Sequence, residues 1–243
     1  MSGSSLFTLG FALVDVLPTT LLIFTEAAIG HFLIALLIAY LPAINAAFSR
    51  REAAVTLLEV RAGSPPSAIQ MFKLYQRIHG LEKLDSLWIT WETWFADLEE
   101  SHTSLGVLAF FRSPQSHRSW ITSAGAILDA ASLATSTIDI PRDPQAELCI
   151  RAGFLALRHI ADFFRMKHDP HPSPTDPISM SREEFDAACE ELAQEGVPLK
   201  SDRDQAWRDF AGWRVNYDTV LLALSTLTMA PEAPWSSDRA TKQ

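Results

Sequence analysis

Glu26 and His31 stand out first, because they sit in a run with almost nothing else able to carry charge. From Leu21 to Ala47 the chain is otherwise apolar, with Tyr40, Pro42 and Asn45 toward the far end. A carboxylate in such a segment is costly unless it is partnered or near water, so Glu26 is a candidate functional residue. The competing reading is an interfacial acid that reaches lipid headgroups. Glu26 and His31 are five helical residues apart, about 140° around the axis, so they do not face each other. Further along, His168 and His171 lie in a segment, 168–177, with four prolines. Two imidazoles without a cysteine or a local cluster are a poor metal site, and no metal ligands are assigned there. Cys149 and Cys189 show neither metal spacing nor a disulfide framework and read as reduced, buried thiols. The G-x-S-x-G, H-E-x-x-H, phosphate-loop and dinucleotide-glycine signatures are all absent, so neither an enzyme activity nor a cofactor is expected.

These residues need elements to hold them. A helix from Leu21 to Ala47 extends roughly 40 Å, more than the hydrocarbon core of about 30 Å. A signal peptide would need a basic n-region and a small-residue cleavage site. Here residues 1–49 hold no Lys or Arg, and their only acids are Asp15 and Glu26. The spacing therefore predicts a transmembrane helix over 20–47. Arg50 and Arg51 just beyond it, with Arg61 further on, place the C-terminal part in the cytoplasm and the N-terminus outside by the positive-inside rule, in an inner or plasma membrane. Within the helix Ala27, His31, Ala35, Ala39, Ala43 and Ala47 recur every four residues. Such a ridge of mostly small side chains lets helices approach closely in lipid, either for plain helix packing or around a shared pore. Gly30 is a candidate bend point.

The remainder is acidic and soluble in character; the whole chain carries a formal charge of −9, which argues against nucleic-acid binding. No alternating strand pattern of useful length occurs in it. Leu81, Leu84, Leu87, Trp88, Trp91, Trp94, Phe95 and Leu98 form an amphipathic stripe expected to face a core, with ligand binding as the competing reading. Residues 147–164 are apolar almost all round and predict a central buried helix. Ser113-Pro114 resembles a cap followed by proline at the first helical position. Ser181 with Glu184, and Ser201 with Asp204, predict capped helix starts. Trp207, Phe210, Trp213, Tyr217, Leu221 and Leu224 mark another core-facing stripe. Residues 231–243 read as a disordered tail.

Ahead of the apolar run stands Phe7-Thr8-Leu9-Gly10-Phe11, followed by Asp15-Val16-Leu17-Pro18-Thr19-Thr20. This resembles the selectivity filter and outer mouth of bacterial two-transmembrane-helix potassium channels. Glu26, Gly30 and Ala39-Tyr40-Leu41-Pro42 fall where their inner helix carries an acid, a glycine and a G-Y-L-P-like segment. Phe48-Ser49-Arg50-Arg51-Glu52, Ala62-Gly63-Ser64-Pro65-Pro66, Glu100-Ser101-His102 and Ala109-Phe110-Phe111-Arg112-Ser113 resemble stretches of their cytoplasmic part. His102 and Arg112 stand out only through this resemblance; their residue-level reading is capping or packing.

The resemblance implies an all-α protein in which Thr8, Leu9, Gly10 and Phe11 are filter positions and Asp15 is the acid after the filter. It implies passive potassium flow through a homo-tetramer in a membrane, with potassium as the permeant species. Four copies of the loop would direct carbonyl oxygens inward to replace the hydration shell of the ion. The sequence departs from the family at Ala12-Leu13-Val14, where the family has Gly-Asp. A filter backbone that visits positive φ is strained there by a kcal/mol or more, on the order of the usual non-glycine cost. The outer helix and most of the pore helix, which precede the filter in the family, have no counterpart before Thr8, so a truncated channel is one expectation. A nonconducting, membrane-anchored helical interaction module is the alternative. The expected organisation is a partial pore domain over 1–49 (pore loop 4–19, inner helix 20–47), a helical cytoplasmic domain over 50–230, and the tail.

Overall fold

The computed structural model describes residues 17–240. Their regular elements are helices joined by irregular connections, and among the described residues there is no β-strand, only an isolated bridge between Ile138 and Leu199. The chain divides into two units, Met1–Ser49 and Arg50–Gln243.

The first helix, α1 (Leu17–Ala62), is 46 residues long and so outruns the expected 20–47 segment at its C-terminal end. It continues because most residues from Arg50 to Arg61 are good helix formers, with Val55 and Leu58 as buried positions. It stops where Gly63 adopts φ +78° and its N–H bonds back to the Glu59 carbonyl at 3.0 Å, and where Pro65 and Pro66 cannot continue the ladder. Its N-terminal part exposes large apolar side chains, Phe24, Phe32 and Ile38 among them. This is the one helix among the described residues long and apolar enough to cross a membrane.

The second unit is a helical domain around one core. After α2 (Ala68–Arg77) and a 3-10 turn (Leu81–Lys83) comes α3 (Asp85–Ser104), which carries the tryptophan stripe. All eight residues of that stripe are buried, Trp91 and Trp94 meeting edge-on with centroids 4.6 Å apart, so the stripe is core. A further 3-10 segment (Gly106–Phe110) leads to α4 (Trp120–Ser136), then α5 (Pro144–Phe163), α6 (Arg182–Gln194), α7 (Arg203–Arg214), α8 (Asp218–Leu227) and the short α9 (Ser237–Ala240).

The central buried helix is α4 and not the 147–164 segment. All but one of its residues are buried, and it packs against α2, α5, α7 and α8. Its small residues (Ala124, Gly125, Ala130, Ala131, Ala134) allow neighbours on every side, whereas α5 exposes Leu148 and Phe163. α5 packs most extensively on α3, and Gly153 permits it: a Cβ there would lie 2.8 Å from a ring carbon of Phe95.

The helix starts follow capping chemistry with two corrections. Ser181 and Glu184 form the expected capping box on α6. α7 is capped by Asp202, whose carboxylate accepts from the Gln205 N–H at 2.9 Å, and not by Ser201; a carboxylate also suits the positive end of the helix. Ser113-Pro114 starts no helix, and α4 begins only at Trp120, after an irregular segment. The stripe from Trp207 to Leu224 is broken between α7 and α8, yet Phe210, Tyr217, Leu221 and Leu224 are fully buried. The expected disordered tail is ordered over 231–240. Ala233 and Ser236 are buried, and Arg239 pairs with Glu184 at 2.9 Å, so polar composition did not prevent packing.

Candidate functional site

The filter candidates Thr8, Leu9, Gly10, Phe11 and Asp15 lie outside the described residues. Glu26 and Gly30 both lie on α1. On the same helix the Nδ1–H of His31 donates to the Ala27 carbonyl at 3.0 Å, one turn back, so this imidazole is tied to its own helix. His168 and His171 do lie in a loop, and no group of three or more candidate metal ligands occurs among the described residues. Cys149 and Cys189 are free and buried, and burial pushes both thiols up, which keeps them protonated.

Sequence reasoning missed two buried polar clusters in the domain. The first is built on Arg51. Read as part of a basic membrane flank, this residue is only 2% exposed. Its guanidinium donates to Glu52 at 3.0 Å, to the Leu108 carbonyl at 2.8 Å, to the Phe111 carbonyl at 2.6 Å and to His102 Nε2 at 3.2 Å. The planar fork of arginine serves all four acceptors at once, which a lysine ammonium does not. Because Nε2 accepts from Arg51, the proton of His102 sits on Nδ1, which donates to the Leu98 carbonyl at 3.0 Å. Burial, reinforced by the neighbouring Arg51 charge, drives the His102 pKa down to about 3, so this ring is neutral at physiological pH. Arg50, by contrast, is half exposed and pairs with Asp97 at 3.0 Å.

The second cluster is built on Arg214 in α7, which is fully buried. It forms ion pairs with Asp129 of α4 and, at 2.9 Å, with Asp218 of α8, and it also donates to the Trp235 carbonyl. The Tyr217 hydroxyl donates to Asp129 at 2.8 Å and takes a bond from Ser132 at 3.1 Å; the N–H and hydroxyl of Ser179 both reach Asp218 at 2.7 Å. Burial opposes the Arg214 charge, but the Asp129 and Asp218 carboxylates more than offset it and hold the guanidinium above its ordinary range. The cluster ties α4, α7, α8 and the 231–240 segment together, which is why that segment is ordered. A signal was present in the sequence: Asp129 is the only charged residue between Arg118 and Asp139, in a run too apolar to leave it unpaired.

An open cleft of about 700 Å³ lies between the Leu81–Asp85 region, the end of α4 and the start of α5. Its rim mixes acids (Glu82, Asp85, Asp143, Glu147) with Arg142 and Lys200 over an apolar floor that includes Trp88. Arg142 is bonded to Glu147 at 2.8 Å and Lys200 to the Thr135 carbonyl at 2.7 Å, while Asp143 caps α5. No serine, cysteine or histidine lines it, and the one hydroxyl there, Thr135, donates to the Ala131 carbonyl at 2.9 Å. In chemical terms the domain offers neutralised buried charges that hold helices in place.

No protein-family model, no curated protein and no solved structure matches this chain.

Proposed function

We propose that this chain is a potassium-channel-like membrane protein, in which α1 is the inner helix of a pore and the domain from Arg50 onward lies in the cytoplasm and serves assembly or gating. The observation that carries the reading is the filter-like Thr8-Leu9-Gly10-Phe11 and Asp15 segment placed directly before a helix long and apolar enough to cross a membrane. The exposed apolar residues of that helix support it, since Phe24, Phe32 and Ile38 need a non-aqueous surrounding. So does the four-residue ridge of small side chains on α1, which suits close packing of several copies around one axis. On this reading the transport is passive, potassium is the permeant ion, the assembly is a homo-tetramer in the inner membrane, and the N-terminus faces outward.

The test is potassium flux into liposomes holding the purified protein, together with growth of potassium-uptake-deficient cells. Both are measured for the chain alone and for the chain with an outer helix and pore helix fused ahead of it. Potassium-selective flux in either form is expected. No flux in both forms sinks the conduction reading. One observation favours the second reading, a nonconducting membrane-anchored helical module. Ala12-Leu13-Val14 stands where the family's filter has glycine and aspartate, and side chains there resist the backbone conformations that carbonyl coordination needs.

A further inference from the structure

We propose that a pocket at the N-terminal end of α4 binds a single tetrahedral oxyanion of the phosphate class. The pocket, of about 150 Å³, is lined by Arg112, Ser113, Gln115, Ser116, Arg118 and Ser119, and is closed on the other side by residues 228–231. It is smaller than the roughly 300 Å³ at which sites for organic ligands begin, and suits one phosphate or sulfate group. No carboxylate lines it, although the chain as a whole carries an excess of acids.

Three independent features make this an anion site. The first is the helix end itself. Ser119 is the N-cap of α4 but its side chain makes no capping bond, and the first turn contains no acid. The N–H groups of Trp120, Ile121 and Thr122 have no acceptor within the helix, and the first backbone bond of this turn runs from Ser123 to the Ser119 carbonyl. Free N–H groups at the positive end of a helix dipole favour an anion. The second feature is Ser113. It is only 9% exposed, it lines the pocket, and its hydroxyl oxygen is buried with no hydrogen-bond partner. A buried hydroxyl left unsatisfied is costly, and an oxyanion in the pocket would supply its acceptor. The third is the division of labour between the two arginines. Arg118 is committed: it pairs closely with Glu59 and donates to Gln115 and Thr56, each at 3.0 Å. Arg112 is exposed and forms no ion pair among the described residues, so it is the cation at the mouth of the pocket that remains for a ligand.

Recognition then has a clear assignment. The α4 N–H groups and the Ser113 and Ser119 hydroxyls donate to the oxyanion, and Arg112 closes over it with a charge-assisted pair. The anion has two sources with the same chemistry, a free phosphate or the phosphate of a lipid headgroup.

The full chain, held in maltoside micelles that carry no phosphate, is titrated calorimetrically with inorganic phosphate in one arm and with micelle-dispersed dioctanoyl phosphatidic acid in the other. Saturable binding in at least one arm is expected. Arg112→Gln should weaken it by about ten- to a hundredfold, the loss of one charge-assisted hydrogen bond, and Ser113→Ala by about two- to tenfold. Lys167→Gln, an exposed change outside the pocket, should leave it unaltered. Binding of phosphate alone identifies a free anion, and binding of the lipid alone or more tightly identifies a headgroup. Wild-type protein that binds neither overturns the proposal. So does binding that survives both Arg112→Gln and Ser113→Ala unchanged, in variants whose unliganded melting matches wild type.

Discussion

Lowering the pH should loosen the helical domain from Arg50 onward through a single histidine. In the folded protein His102 is buried, accepts a bond from Arg51, and has its pKa pushed down to about 3. In the unfolded chain it titrates near the ordinary histidine value of about 6.5. Between these values the unfolded state holds a proton that the folded state refuses, so acid favours unfolding. The stability linked to a neutral His102 is therefore complete above pH about 6.5 and is lost as pH falls toward 3. The loss grows as pH falls and reaches about 3 kcal/mol by pH about 4.5. For a domain of this size that is a fall of about 6–12 °C in melting temperature. Carboxylates elsewhere also titrate in this range, so the decisive quantity is a difference between two proteins. His102→Gln keeps an acceptor for Arg51 but cannot take up a proton. Melting followed by near-ultraviolet circular dichroism from pH 7.5 to 4.5 should give a wild-type curve steeper than the variant's by the amount above. Equal slopes would falsify the assignment of a buried neutral imidazole against Arg51.

Arg214→Met leaves Asp129 and Asp218 buried without their cation and should cost about 3–5 kcal/mol, read as a drop of about 6–20 °C in melting temperature. Adding Asp129→Leu and Asp218→Leu to that variant should recover part of the loss, and a triple variant worse than the single one would contradict the charge argument. Gly153→Ala forces a Cβ against Leu128 of α4 and Phe95 of α3 and should destabilise by about 1–3 kcal/mol in urea unfolding; a neutral result would mean that these side chains give way easily at this point.

Much of the helical architecture was readable because its signals are local. The tryptophan stripe repeats at helical spacing, and a side chain of that size at every turn has nowhere to go but a core. The Ser181–Glu184 box is a four-residue motif whose bonds close on themselves. Residues 113–119 misled because a serine–proline pair is permissive for a helix start and does not require one. α4 was overlooked because alanine, serine and glycine give little periodic contrast, although small side chains are what a helix needs when neighbours pack on every side. Cluster members were separated by long stretches of chain: Arg51 finds His102, and Arg214 finds Asp129, only when helices distant in sequence come together.

The amino-acid order alone determined that a long apolar helical segment precedes a helical, acidic remainder. Apolar spacing and charge distribution act over a few turns and need no partner to be expressed. The tertiary structure alone decided which charges are neutralised inside, that Arg51 serves the domain interior, and that the last described residues are bound to it by Arg214 and Arg239. Desolvating an ion is tolerable only where acceptors from several helices converge, and no local pattern encodes that convergence.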